Sequence, residues 1–160
     1  MNQQMVMHEG EFLRITSVCD RLTREANAKI VFLVDKNGQL ISSAGATNDI
    51  DTTSLASLTA GNIAATGGLA KLIGEREFSI LFHEGERDNL HISIVAQRVI
   101  LVVIFDARSS LGLVRLRVKK AGEELASVFA DLEKKGTMPG GAGSPFAEIT
   151  DEDIDNLFSE

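Results

Sequence analysis

An unbroken apolar run restricts the fold of this chain more than any other feature. Residues 99–105 read Val-Ile-Leu-Val-Val-Ile-Phe and contain no polar side chain. β-branched residues dominate the run, as is typical of strands, and a strand that is apolar at every position needs cover on both faces. The sequence therefore predicts a central strand buried on both sides. The longer apolar stretch 90–105 is interrupted by Gln97 and Arg98 and is too short to span a bilayer, so we expect no membrane insertion.

Periodicity and turn residues predict the remaining elements. Apolar spacings of three and four predict helices over residues 9–27, 51–73 and 110–135. β-branched runs predict strands over residues 28–35, 39–44, 78–83, 89–96 and 99–105. Asn37-Gly38 predicts a hairpin turn between the first two strands, and Gly112 and Gly122 predict an irregular first part of the last helix. The expected fold is α+β, in the order α-β-β-α-β-β-β-α, with a five-stranded antiparallel sheet against helices.

Each predicted helix carries one apolar stripe. In the first helix it comprises Phe12, Ile15, Val18, Cys19 and Leu22, and in the second Leu55, Leu58, Ala65, Leu69 and Leu72. In the third helix the predicted buried side comprises Leu113, Leu116, Ala121, Leu125, Val128, Phe129 and Leu132.

The second helix carries a further stripe of small residues. At spacings of four, three, four and three, these are Ser57, Gly61, Ala64, Gly68 and Lys71. Glycine in a helix interior costs about 0.5–1 kcal/mol relative to alanine, so the stripe needs a reason. Two reasons stay open: close packing within the monomer or against a twin subunit, or a smooth surface that lets a partner backbone approach.

The charge of the chain is concentrated at its C-terminal end. Residues 136–160 contain six Asp or Glu and no Lys or Arg, whereas the rest of the chain carries 17 acids against 16 bases. We predict a domain over residues 1–135, a Gly/Pro linker over 136–145, and an acidic amphipathic helix or tail over 146–160. Its docking residues are predicted to be Phe146, Ile149, Ile154, Leu157 and Phe158. The alternative is a tail that only confers solubility.

A basic cluster in the third helix has two possible interpretations. Arg115, Arg117, Lys119 and Lys120 fit a solvated face, and binding of the acidic tail is the alternative. The body as a whole is close to neutral and the chain lacks Trp and Tyr, so we expect no nucleic-acid partner.

The sequence offers no catalytic set. It contains no GxxxxGK[ST] loop, no G-x-S-x-G and no CxxC, and His83 and His91 lack an evident third metal ligand. Cys19 is expected in the core, and Asp35 and Asn37 are expected to serve the turn. A single cysteine and an N-terminus without signal-peptide character favour the cytoplasm. We expect no cofactor and no enzymatic activity.

With these elements in this order, the chain resembles the roadblock/dynein-light-chain family. Its tail resembles, more narrowly, a bacterial branch that regulates a Ras-like GTPase of gliding motility. The strings that carry the resemblance are residues 19–23 (CDRLT), 31–41 (VFLVDKNGQLI), 51–61 (DTTSLASLTAG), 110–117 (SLGLVRLR), 143–149 (GSPFAEI) and 153–160 (DIDNLFSE).

The resemblance implies a homodimer joined through the second helices and third strands. It implies one Ras-like GTPase per dimer, bound at the second helix with Ala64 and Gly68 in the contact, and a terminal helix that docks near the nucleotide region. The chain would accelerate GTP hydrolysis without inserting a side chain into the active site of the GTPase. Arg76, Arg87 and Arg98 therefore receive no role. GTP and Mg²⁺ would be bound by the partner GTPase. The family also implies control of cell polarity, with the protein concentrated at a cell pole. A dimeric scaffold that recruits partners without affecting hydrolysis is the alternative function. A ligand-sensing module is a third possibility.

Overall fold

The computed structural model describes residues 9–137, with side chains described through residue 134. The elements are α1 (Glu9–Glu25), β1 (Ile30–Asp35), β2 (Leu40–Gly45), α2 (Thr52–Leu72), β3 (Ile80–Glu84), β4 (Asn89–Val95), β5 (Val99–Phe105) and α3 (Leu111–Thr137). The strands form one sheet in the order β2-β1-β5-β4-β3, and each neighbouring pair is antiparallel. The predicted α+β fold and its element order are confirmed. Within residues 9–137, no helix has the length and apolarity needed to cross a membrane.

Strand β5 lies at the centre of the sheet, as its sequence predicts. It pairs with β1 on one side and β4 on the other, and all seven of its residues are buried. Successive side chains of a strand point to opposite faces. Leu101 and Val103 therefore join the core under α1 and α3, while Val102 and Ile104 join the core under α2.

The two faces of the sheet are covered unequally. On one face α1 and α3 pack side by side and contribute large buried residues, among them Ile15, Leu22, Leu125 and Phe129. On the other face α2 buries only the small residues Ala56, Thr59 and Ala70, and the sheet supplies most of that smaller core. The α2 layer is thus the thinly covered side of the monomer.

The hairpin between β1 and β2 shows why its turn residues are needed. The Asp35 carboxylate accepts hydrogen bonds from the backbone amides of Asn37 and Gln39, both at 2.9 Å. Gly38 adopts a φ of +92°, which favours glycine. The turn role predicted for Asp35 is confirmed.

Two expectations about the helices were wrong. Helix α3 is continuous across Gly112 and Gly122. Ser110 caps it by accepting a hydrogen bond from the Leu113 amide, and Val114 and Val118 pack into the core, which outweighs the modest cost of glycine. Phe12 and Leu116, predicted to be buried, are 43% and 62% exposed.

The linker predicted over 136–145 lies almost wholly outside the described residues. The acidic segment 146–160, with its docking residues Phe146, Ile149, Ile154, Leu157 and Phe158, lies entirely outside them.

Candidate functional site: the exposed faces of the second helix

Both ends of helix α2 are fixed by local hydrogen bonds. At its start the Asp51 carboxylate accepts hydrogen bonds from the amide (3.1 Å) and hydroxyl (2.6 Å) of Ser54, and these lower the pKa of Asp51. At its end Gly74 takes a φ of +82°, and the amides of Gly74 and Glu75 donate to the carbonyls of Lys71 and Ala70. This pairing is a Schellman motif, which stops the helix.

The contact between α2 and the sheet is made mainly by small side chains. Ala56, Thr59 and Ala70 are buried, and Ala60 and Ile63 are half-buried on the same side. Small residues let the helix lie close to the sheet, but they use little of its circumference. Two further faces of α2 therefore remain exposed in the monomer.

The first of these is the small-residue face, defined by Ser57, Gly61, Ala64, Gly68 and Lys71. All five are exposed, so the structure gathers the predicted site residues on one solvent-facing stripe. A Cβ atom built on Gly61 or Gly68 would meet nothing within 4 Å. Packing among the described residues of the monomer therefore gives no reason for either glycine.

The position of the small-residue face is marked by the β1–β2 hairpin. A Cβ atom on Gly38 would lie 3.3 Å from the Cα of Ser57 and 3.6 Å from the Cβ of Ala60. The turn glycine thus lets the hairpin approach the edge of α2, and the small-residue face opens beside it.

The second exposed face is the leucine face, defined by Leu58, Ala65, Leu69 and Leu72. The three leucines are 73%, 59% and 83% exposed. The sequence predicts one stripe that also includes Leu55. Leu55 is half-buried against the smaller core, whereas the three exposed leucines do not pack on the sheet, as the stripe of an amphipathic helix normally does. The neighbouring Ile73 is exposed as well.

The leucine face lies on the same side of α2 as the edge strand β3. The side-chain amide nitrogen of Asn62, beside this face, is 3.5 Å from Nε2 of His83 in β3. Among residues 9–137, strand β3 pairs with β4 alone, so its outer edge presents backbone groups that no other described strand pairs with. An open strand edge and an apolar helix face therefore lie next to one another.

The composition of α2 is unusual for a helix with two solvent-exposed faces. Among its 21 residues only Lys71 is charged, although only Ala56, Thr59 and Ala70 are buried in the monomer. A helix that is apolar around most of its circumference is normally buried. Sequence reasoning identified the small-residue face but missed the leucine face as a surface, and this scarcity of charge was the signal that could have revealed it.

The described residues do not assemble a metal site. Across residues 9–137 there is no group of three or more His, Cys, Asp or Glu placed to hold a metal ion. Phe82 pairs with His91 and Leu90 with His83, so the two histidines point to opposite faces of the sheet. Burial raises the pKa of the Cys19 thiol to about 11, which leaves it protonated and unreactive near neutral pH.

Sequence comparison agrees with this architecture. The family model for the Roadblock/LC7 domain matches residues 14–105, which include β1 to β5 and all of α2. The chain belongs to the roadblock/LC7 family. A search of curated protein sequences gave no match.

Solved roadblock structures place the chain more narrowly. It is similar to Myxococcus xanthus MglB, with 71% identity over 79% of this chain and 96% of that one, and a TM-score of 0.76. It is also similar to the gliding protein MglB from Thermus thermophilus, with 33% identity, coverage of 82% and 99%, and the same TM-score. A roadblock domain from Streptomyces avermitilis, at 15% identity and a TM-score of 0.57 over 74% of this chain and 94% of that one, shares the fold. The chain is thus an MglB-like roadblock protein.

Proposed function

We propose that this chain is a dimeric activator of a Ras-like small GTPase that controls cell polarity and gliding motility. The observation that carries the proposal is the exposure of two nearly uncharged faces on α2. Two separate surfaces match two partners: a second copy of the chain and a GTPase. The similarity to MglB proteins, one of which is named a gliding protein, supports the motility role.

The leucine face and the β3 edge form the proposed dimer interface. Leu58, Leu69 and Leu72 of one copy pack against those of the other, while the two β3 edges extend the sheets into one. This arrangement covers the apolar surface that the monomer leaves in water and satisfies the free strand edge. It also brings the two α2 helices side by side.

The small-residue face is the proposed GTPase seat. Ser57, Gly61, Ala64 and Gly68 have short or no side chains, so a partner backbone can approach the helix closely. Two helices that meet at a dimer axis form one composite platform, which suits one GTPase per dimer. Lys71 lies at the end of the stripe and provides a positive charge for an acidic group of the partner.

Activation in this proposal needs no catalytic residue from the chain. The dimer binds the hydrolysis-competent conformation of the GTPase more tightly than the resting one, and so shifts its population. The rate gain comes from bringing the GTPase's own groups into register around its GTP and Mg²⁺. Segment 146–160 makes a second, tethered contact that changes GTPase affinity or nucleotide exchange.

A turnover assay separates this function from the scaffold alternative. The Ras-like gliding GTPase of the same organism is loaded with GTP and its hydrolysis is followed with and without the chain. An activator raises the rate in proportion to the complex formed. Binding without any change in rate would leave only the scaffold, and absence of binding would overturn both.

A further inference from the structure

The solvent side of the first half of α3 is basic. It comprises Arg115, Leu116, Lys119 and Lys120, which we call the α3 basic face. All four side chains are exposed, and Leu116, 62% exposed, lies at the middle of the helical stripe that they form. No Asp or Glu occurs between residues 111 and 122.

Five other basic residues of the fold are engaged in ion pairs. Arg14, Arg21, Lys29, Lys36 and Arg108 each pair with a carboxylate at 2.8 to 3.8 Å. Arg115, Lys119 and Lys120 pair with no carboxylate among residues 9–134. Arg117, on the flank towards α1, has a buried Nε without a hydrogen-bond acceptor in the same part of the chain. The face thus has capacity for anions that the described fold leaves unused.

We propose that the α3 basic face binds the acidic segment 146–160 of the same chain when no partner holds that segment. The segment carries six carboxylates and no cation, while the rest of the chain is nearly neutral. It is therefore the strongest concentration of negative charge in the molecule. Its apolar residues Ile154, Leu157 and Phe158 match the exposed Leu116 at the centre of the face.

The geometry of the chain permits this contact. Helix α3 ends at Thr137, and Lys120 lies 17 residues earlier, about 26 Å back along the helix axis at 1.5 Å per residue. The 14 residues from Thr137 to Asp151 span at most about 46–50 Å when extended. The acidic segment can therefore fold back along α3 with length to spare.

Tethering makes weak contacts sufficient. Exposed ion pairs contribute little individually and are screened by salt. A segment on a short linker, however, reaches an effective concentration on the order of millimolar. Occupancy therefore needs only modest affinity and should vary strongly with ionic strength. A docked segment would be withheld from a GTPase, and that consequence alone rests on the proposed function.

Paramagnetic broadening in the full chain tests the contact directly. A nitroxide is attached at Ser159→Cys, and the buried Cys19 leaves residue 159 as the reactive thiol. At low salt we expect amide signals of residues 112–120 to lose more than half their intensity, and to recover it in 0.5 M NaCl. Equal broadening across the chain, or broadening confined to α2, would overturn the proposal.

Charge-matched variants supply the control. Lys119→Gln with Lys120→Gln should abolish the broadening, whereas Arg87→Gln with Arg98→Gln removes two exposed charges elsewhere and should leave it intact. A mixture of nitroxide-tagged protein with untagged ¹⁵N protein identifies contacts between copies, and broadening only in that mixture would contradict binding within one chain. If the amide signals of residues 112–120 change on addition of phosphatidylglycerol vesicles but are never broadened by the tag, the α3 basic face binds an anionic membrane instead of the segment, and the proposal fails.

Discussion

Asn62 of α2 and His83 of β3 face one another, with the amide nitrogen 3.5 Å from Nε2 of the imidazole. The contact shows that the leucine face of α2 and the open edge of the sheet lie on the same side of the monomer. Such a combination suits a symmetric interface, since a second copy can pair the strand edge and cover the leucines at once.

The leucine face is therefore expected to hold the dimer together. Each leucine buried in an interface contributes about 1.5–3 kcal/mol, so Leu69→Glu with Leu72→Glu should weaken dimerisation by about 10²-fold or more. Glutamate is a good helix former, so α2 should persist. Sedimentation at micromolar concentration should show a folded monomer. Leu116→Glu, at a comparably exposed leucine of α3, serves as the control and should leave the dimer intact; an unchanged mass for the double variant would refute the interface.

Two glycine substitutions should change stability in opposite directions. Gly45 has a φ of +95°, and an added Cβ would collide with the Lys29 carbonyl oxygen, so Gly45→Ala should cost about 1–3 kcal/mol. Gly61 has helical geometry and open space around it, so Gly61→Ala should stabilise by about 0.5–1 kcal/mol. Urea unfolding at one protein concentration measures both. A loss of stability in Gly61→Ala would show that α2 needs that glycine for packing.

His91 should make the fold sensitive to mild acid. It is buried under α3, and burial, followed by the nearby positive charge of Arg115, holds its pKa below the usual 6.5; neither ring nitrogen has a hydrogen-bond partner within the described residues. The unfolded chain takes up a proton near pH 6.5 whereas the folded chain resists it, so stability is fully present above that pH and declines as pH falls below it.

Urea midpoints between pH 7.5 and 5.5 measure this effect. His91→Gln should flatten that part of the pH dependence, while His83→Gln, at the exposed histidine of β3, should retain it. If the urea midpoint changes equally with pH in the unmodified protein and in both variants, the assignment to His91 is contradicted.

Whether the chain inserts an arginine into the GTPase active site can be tested separately from binding of the GTPase. Arg76, Arg87 and Arg98 are exposed. An arginine inserted into a GTPase site accelerates hydrolysis by about 10³–10⁵-fold. If the chain only repositions the GTPase's own groups, each of Arg76→Ala, Arg87→Ala and Arg98→Ala should retain stimulation within a few-fold. A loss of 10³-fold in any one would identify a donated side chain.

Local sequence patterns predicted the fold well because the structure that each pattern forms depends on only a few neighbouring residues. The apolar run of β5 and the Asp35–Gly38 turn depend on near neighbours, and both predictions are confirmed. Helical spacing likewise placed the small-residue face correctly on one stripe of α2.

Features that depend on contacts between residues far apart in the chain were harder to predict from the sequence. Spacing shows which residues of α2 share a face, but not which face lies on the sheet, and so Leu58, Leu69 and Leu72 were not recognised as exposed. The opposite orientation of His83 and His91 depends on the register of β3 against β4. The continuity of α3 through Gly112 and Gly122 depends on packing against the sheet and α1.

The most direct test of the proposed function is single-turnover GTP hydrolysis by the Ras-like gliding GTPase, measured with Ala64→Arg and Gly68→Arg combined. Two guanidinium groups on the small-residue face would hold the partner away or be buried without counter-charges, at a cost of several kcal/mol. We predict that stimulation falls to the unstimulated rate while the variant remains a folded dimer. Ser127→Arg with Ala130→Arg, at exposed small residues of α3, is the matched control and should stimulate normally. Full stimulation by the Ala64 and Gly68 double variant would contradict the GTPase seat on α2.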